Sequence, residues 1–170
     1  ETTLNDSIDM ARGKWIARMD HDDIALPHRF DRQLAYLKET GADIVGSWVQ
    51  RFGSLDRRVI KPPQTDQGIK MEMLFASPFH HPTIMMSTAV VKKIRYDKVW
   101  GAAGDYDLWV RAAQAGVKMA NVPEVLLQYR AHEEQMSISD SVQQQQLAYQ
   151  IQHRYWKSFC KVMQFDQRWI

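Results

Sequence analysis

The passage from residue 14 to residue 50 constrains this chain more than any other. A short run, Lys14-Trp15-Ile16-Ala17-Arg18-Met19, ends in three carboxylates within four positions, Asp20-His21-Asp22-Asp23. Pro27 suits the first turn of a helix. Phe30, Leu34 and Leu37 then recur at i, i+4 and i+7 as one apolar stripe, and Gly41 closes that helix. Residues 43–50, with Ile44, Val45, Trp48 and Val49, read as the next strand. Strand, helix and strand in succession predict an α/β sheet with helices on its faces. Ligands of such sheets sit outside the carboxyl ends of the strands, and the acidic cluster lies at such an end.

The rest of the chain keeps the alternation. Residues 7–12 have helical spacing and Gly13 stops them. Residues 53–64 are turn-rich, and Thr65 or Asp66 caps a helix bearing Ile69, Met73 and Leu74. Residues 83–86 read as a strand, 89–94 as a short helix and 105–115 as a longer one ended by Gly116. Two strands, 117–122 and 125–129, are split by Pro123. A Gln-rich helix over about 140–163 carries Leu147, Ile151, Trp156 and Phe159. Gln143 to Gln146 is the one low-complexity patch.

Composition sets the class. With 22 Lys plus Arg against 20 Asp plus Glu, the net charge is +2, unlike the basic face of a dedicated nucleic-acid binder. The apolar fraction of 45% in 170 residues supports a packed core. No apolar run approaches the roughly 20 residues that span a bilayer. Cys160 is the single cysteine, which suits a reducing compartment. The opening, Glu1-Thr2-Thr3-Leu4-Asn5, reads as the inside of a domain, so the chain is expected to belong to a longer architecture.

Three clustered carboxylates repel one another, and a hard divalent cation relieves that repulsion while bridging to phosphate oxygens. Asp20 and Asp22, at i and i+2, share one side if strand geometry persists. The other reading is a solvated loop with Asp23 assisting a helix N-terminus. An EF-hand calcium loop fails on the text, because Ile24, Ala25 and Asp31 stand at its fifth, sixth and twelfth positions. An aspartyl-nucleophile phosphatase is a weak competitor: it needs an apolar strand before the cluster and a hydroxyl residue after it, where Arg18 and Ile24 stand.

Three ordered blocks carry a likeness. They are Leu4-Asn5 with residues 11–23 and Pro27-His28-Arg29; His81-Pro82-Thr83 with residues 104–111; and residues 121–132 with Ser137. Over roughly residues 4–139 they resemble the inverting nucleotide-sugar glycosyltransferases of family two. The resemblance implies a GT-A fold: a mixed α/β sheet flanked by helices, lacking the family's N-terminal nucleotide-binding strands and followed by a C-terminal helix. It divides the chain into a glycosyltransferase portion, 1–139, and a helical extension, 140–170, packed on it.

The same resemblance implies site roles. Asp20 and Asp22 would hold Mn²⁺ or Mg²⁺ against the donor diphosphate. Asp105 would be the general base, for which a plain helix N-cap is the alternative. Asn5, Asp23, Arg130 and His132 would bind the donor. His81, Tyr106, Asp107 and Trp109 would bind the acceptor, although aromatics on a helix are as often core and a lone His is more often structural. Gly104 stands where many relatives have an acidic residue, and no Gln-x-x-Arg-Trp follows, unlike the processive synthases. The expected partners are a nucleotide-sugar donor, UDP-linked, and a glycan or lipid-linked acceptor, with no nucleic acid. A cytoplasmic location is expected, extending to peripheral association with the inner membrane face. A homodimer is expected from an open edge at residues 14–19. The rival class is a non-catalytic saccharide-binding or assembly module.

Overall fold

A computed structural model describes residues 2–53, 57–131 and 141–162. Helix α1 (Thr2–Met10) leads to β1 (Trp15–Ala17), and a turn through the acidic cluster leads to β2 (Ile24–Ala25). Helix α2 (Arg29–Thr40), β3 (Ile44–Phe52), β4 (Val59–Ile60), α3 (Asp66–Glu72), β5 (Met85–Ser87) and α4 (Thr88–Ile94) follow. The chain ends in α5 (Gly104–Gln114), β6 (Met119–Arg130) and α6 (Ser141–Val162). Single 3₁₀ turns, His81–Thr83 and Lys98–Ala103, precede β5 and α5.

The sheet runs β1-β5-β3-β6-β2, with β4 folded back on β3. Only β3 and β6 are parallel; the other pairings are antiparallel. Alternation along the strands divides the interior. Ile44, Met86 and Met119 are neighbours across the ladder and face the large cluster with Trp109, Leu108 and Ile151. Val45, Met85 and Ala120, one residue on, face the small cluster under Leu37. A period of two therefore assigns each face.

Several expectations change. Helix α1 starts earlier than residue 7, because Leu4 and Ile8 at i and i+4 both pack on the large cluster. Pro123 does not split a strand: β6 is continuous, and the register shift between Ser47↔Val122 and Trp48↔Val125 leaves Pro123, which has no N–H to give, unpaired. Helix α2 is turned from its expected face. Phe30 and Leu34 are exposed, whereas Arg29, Gln33 and Leu37, at i, i+4 and i+8, are buried. Gly41 does close it, at φ 65°, with its N–H on the Leu37 carbonyl.

Strand β1 ends the sheet order and pairs only with β5 among the described residues. Its apolar faces are not bare, since Ile16 packs on the large cluster and Trp15 on the small one. Helix α6 packs on α5 and the 98–103 turn. Ile151 and Tyr155 enter the core, and Trp156 Nε1 donates to the Leu74 carbonyl (2.6 Å).

Candidate active site

A cleft of about 770 Å³ opens beside the carboxyl end of β1. One bank carries Arg18 and Asp20; the other carries Gly101, Ala102, Gly104 and Asp105. His80, His81, Pro82 and Tyr129 line it between the banks, and Leu4, Gln143 and Gln144 complete the wall.

The first bank is held from beneath by the polar face of α2. Arg29, 1% exposed, donates from Nη2 to the Arg18 carbonyl (2.7 Å) and from Nε to Gln33 (3.0 Å). Gln33 in turn donates to the Thr83 carbonyl (2.7 Å). These two side chains satisfy carbonyls that the short β1 and the 81–84 segment leave outside the ladder. Burial lowers the Arg29 pKa to about 10, so it stays charged at neutral pH.

Above it, Arg18 and Asp20 form a two-pronged ion pair, with contacts of 2.6 and 2.8 Å. Asp23 is buried; its Oδ1 accepts from the Arg130 N–H (2.9 Å), while its Oδ2 is buried without a hydrogen-bond partner. Burial pushes the Asp23 carboxyl up to about 6, the neighbouring Asp20 and Asp22 adding to the rise and Arg130 N–H opposing it. Arg130 also donates from Nε to the Asp22 carbonyl (3.0 Å) and stacks on Phe52 (4.5 Å). The 20–23 turn is thereby pinned to the end of β6.

On the second bank, Asp105 lies in the first turn of α5, where a carboxylate complements the positive end of the helix. Ala103 takes the N-cap position, and Asp105 accepts from the Tyr106 N–H (2.8 Å). Between the banks, His81 Nε2 meets the Tyr96 hydroxyl (2.7 Å), and burial lowers its pKa to about 3, so the ring is neutral. Gly46 has no room for a side chain: an added Cβ would lie 2.2 Å from Asn121 Oδ1 and 2.8 Å from Phe79. That close approach lets Asn121 Nδ2 reach the Pro63 and Pro78 carbonyls, which seats the segment leading to His80 and His81.

The cleft thus brings together Asp20, Asp105 and His81 of the residues singled out in the sequence. Asp22, Asp23 and Arg130 form the turn behind Asp20. Four others point elsewhere. Asn5 clasps both backbone groups of Tyr96 (2.8 and 3.0 Å). Tyr106 is buried with its hydroxyl on the Met73 carbonyl (2.5 Å). Trp109 is fully buried against Phe79 and His81. Asp107, also fully buried, is ion-paired with Arg111 (2.7 Å) and with Arg154 of α6. His132 and Ser137 lie outside the described residues.

Among the described residues no three His, Cys, Asp or Glu side chains converge as a metal cage. The donor set fits a different arrangement. Mg²⁺ and Mn²⁺ favour oxygen ligands, and Mg²⁺ commonly takes one or two carboxylates with the remaining positions filled by water and substrate phosphates. Asp20 and Asp22 are the residues that would hold such an ion.

Four residues that the motifs do not mark also shape the cleft: Arg29 and Gln33 support it from beneath, and Gln143 and Gln144 line it. Arg29 and Gln33 follow a stripe as regular as that of Phe30, Leu34 and Leu37, but polarity argued against burying it. Gln143 and Gln144 belong to the low-complexity patch, whose place at the start of α6 was the available signal.

A mixed sheet with helices on its faces and an acidic cleft at one strand's carboxyl end defines a nucleotide-sugar-transferase-like α/β domain, the GT-A fold. Residues 1–169 match the family described as "Glycosyltransferase like family 2", and the chain belongs to it. It is similar to an uncharacterized glycosyltransferase of Methanocaldococcus jannaschii, 30% identical over 168 residues, covering 95% of this chain and 58% of the relative. It is also similar to the O-antigen biosynthesis glycosyltransferase WbnJ of Escherichia coli, 31% identical, covering 86% of this chain and 56% of the relative. The chain thus spans little more than half the length of these relatives. S. aureus TarS 1–349, solved in complex with UDP, shares the fold at a TM-score of 0.61 and 14% identity, covering 86% of this chain and 43% of that one. Among the described residues, no helix is long and apolar enough to cross a membrane.

Proposed function

We propose that the protein to which this chain belongs transfers a sugar, with inversion, from a nucleoside-diphosphate sugar to an acceptor hydroxyl. The supporting observation is the cleft, which both Asp20 and Asp105 line. Asp105 takes the proton of the acceptor hydroxyl, and that oxygen attacks the anomeric carbon. The bond from that carbon to the diphosphate oxygen breaks on the opposite face, so configuration inverts. Base catalysis of this kind typically contributes about 10²–10⁴-fold. Asp20 and Asp22 would hold Mn²⁺ or Mg²⁺, which would neutralise charge on the leaving diphosphate.

UDP is the favoured nucleotide, since the TarS structure with the same fold was solved with it. The acceptor is a saccharide or a lipid-linked glycan, which agrees with the O-antigen biosynthesis named for one relative. A lipid-linked acceptor sets the reaction at the cytoplasmic face of a membrane, where the protein would associate peripherally.

Calorimetric titration of Mn²⁺ with and without UDP tests the reading. Mn²⁺-dependent UDP binding is expected, and Asp22→Asn is expected to abolish it by removing an anionic oxygen. Binding that is unchanged in Asp22→Asn would take the acidic turn out of the mechanism.

A further inference from the structure

The Arg18–Asp20 pair occupies the place where a cation would sit. Both residues line the cleft, the Arg18 side chain is 20% exposed, and both carboxylate oxygens of Asp20 are engaged by its guanidinium. A divalent ion cannot use Asp20 fully while this two-pronged contact holds. Arg18 also stands among other charged or titratable groups. Its charge acts on Asp23 and Arg29 on one side and on His81 on the other. Its own carbonyl is fixed by Arg29, so the backbone stays put and only the side chain is free to turn.

From this contact we infer that Arg18 is an exchangeable counter-ion, a positioning residue that couples cation binding at Asp20 to diphosphate binding. This rests on the proposed function and names how its donor site is loaded. Without donor, Arg18 neutralises Asp20 and opposes a cation. A cation alone must displace a half-buried guanidinium and leave it without a partner. A diphosphate removes that penalty, because the planar guanidinium fork donates to two phosphate oxygens at once. Cation and diphosphate therefore strengthen one another's binding by the same factor, as linkage demands. The arginine that spoils the apolar pattern of β1 in the sequence is the part that makes the site prefer the loaded pair over the bare ion.

The test uses Mn²⁺ and UDP with direct binding as readout. Free Mn²⁺ is followed by electron paramagnetic resonance during titration of the wild type, Arg18→Gln, Arg18→Lys, Asp20→Asn and the Arg18→Gln/Asp20→Asn pair. Arg18→Gln keeps length and loses charge. It should tighten Mn²⁺ binding in the absence of UDP by about two- to fivefold, the range expected for loss of one partly exposed ion pair. The gain in Mn²⁺ affinity on adding UDP should shrink by a similar factor. Arg18→Lys restores the charge and should return the UDP-free affinity toward wild type, which a merely structural role would not produce. The tightening should vanish in the double variant. Unchanged or weaker Mn²⁺ binding in Arg18→Gln overturns the inference, as does absence of Mn²⁺ binding in both that variant and the wild type. Wild-type Mn²⁺ affinity in Asp20→Asn alone is a separate result, and it sinks the cation site itself.

Discussion

The two banks of the cleft use the same short sequence differently. Asp20-His21-Asp22-Asp23 lies in the turn after a strand; Asp105-Tyr106-Asp107 lies in the first turn of a helix. In each, the first carboxylate lines the cleft and the last is buried in the fold. The buried members are compensated to different degrees. Asp107 meets two guanidinium groups, Arg111 and Arg154, which tie α5 to itself and to α6. Asp23 has one backbone N–H on Oδ1 and none on Oδ2, and its pKa is pushed up to about 6. The helix bank is a finished structural bracket. The strand bank keeps one buried carboxylate oxygen, Asp23 Oδ2, without a hydrogen-bond partner. Such strain is commonly stored where function needs it.

The comparison breaks first at Asp105. Replacing it with Asn in the complete enzyme is expected to lower turnover about 10²–10⁴-fold while leaving nucleotide affinity nearly unchanged. Steady-state kinetics beside a UDP titration check this. Transfer near the wild-type rate would place the base elsewhere. Asp107, the next carboxylate on α5, could not then serve in its place, since it is fully buried and ion-paired.

The next effect is on stability. Asp107→Asn leaves Arg111 and Arg154 beside a neutral amide, and breaking a buried pair from one side costs about 3 kcal/mol. A matching fall in stability by urea denaturation is expected, with near-normal Mn²⁺ binding at the opposite bank. A variant as stable as the wild type would show that the two arginines find equal partners in solvent.

These contrasts also mark what the sequence could say. The period-two rows Ile44/Val45 and Met85/Met86 were readable, because a residue's face in a strand depends only on its parity. Asp20 and Asp105 were readable because their blocks resemble a family's. The buried face of α2 was not. Phe30, Leu34 and Leu37 make a good stripe, yet carbonyls at Arg18, Ile84 and Thr83, far along the chain, select Arg29 and Gln33 instead. That demand arises from a short strand and a 3₁₀ turn, which no local window displays. Likewise nothing near Asp107 announces Arg154, 47 positions later.

A smaller effect, of opposite sign to that at Asp107, is expected at Asp23. Its carboxyl, ordinarily at 3.8, is raised to about 6 in the fold, so between those values the native state binds more protons than the unfolded one. Stability therefore falls as pH rises from about 4 to about 6 and stays lower above that. Asp23→Asn keeps an acceptor for the Arg130 N–H and removes the buried charge. In metal-free buffer with chelator, it should be about 1–3 kcal/mol more stable than wild type at pH 7 and equal to it near pH 4. Urea midpoints at the two pH values decide. A variant that is less stable at pH 7 would mean that attraction to Arg29 outweighs the burial penalty.

The smallest expected effect concerns how the helix bank is held. Gln144 Nε2 donates to the Ala102 carbonyl (3.0 Å), joining the first turn of α6 to the 98–103 turn that precedes Asp105. Gly101 breaks that turn at φ 40° and ψ −122°. Further along, α6 is anchored separately by Arg154 on Asp107, by Trp156 on the Leu74 carbonyl and by Gln152 on the Phe75 carbonyl. Gln144→Ala should therefore cost about 1 kcal/mol of stability at most. Its effect should be local, with faster amide hydrogen exchange at the cleft-lining residues 101–105 and unchanged protection in the middle of α6. Loss of protection along the whole of α6 would make Gln144 a main docking contact. The bracket at Asp107 would then hold the helix bank only with its help.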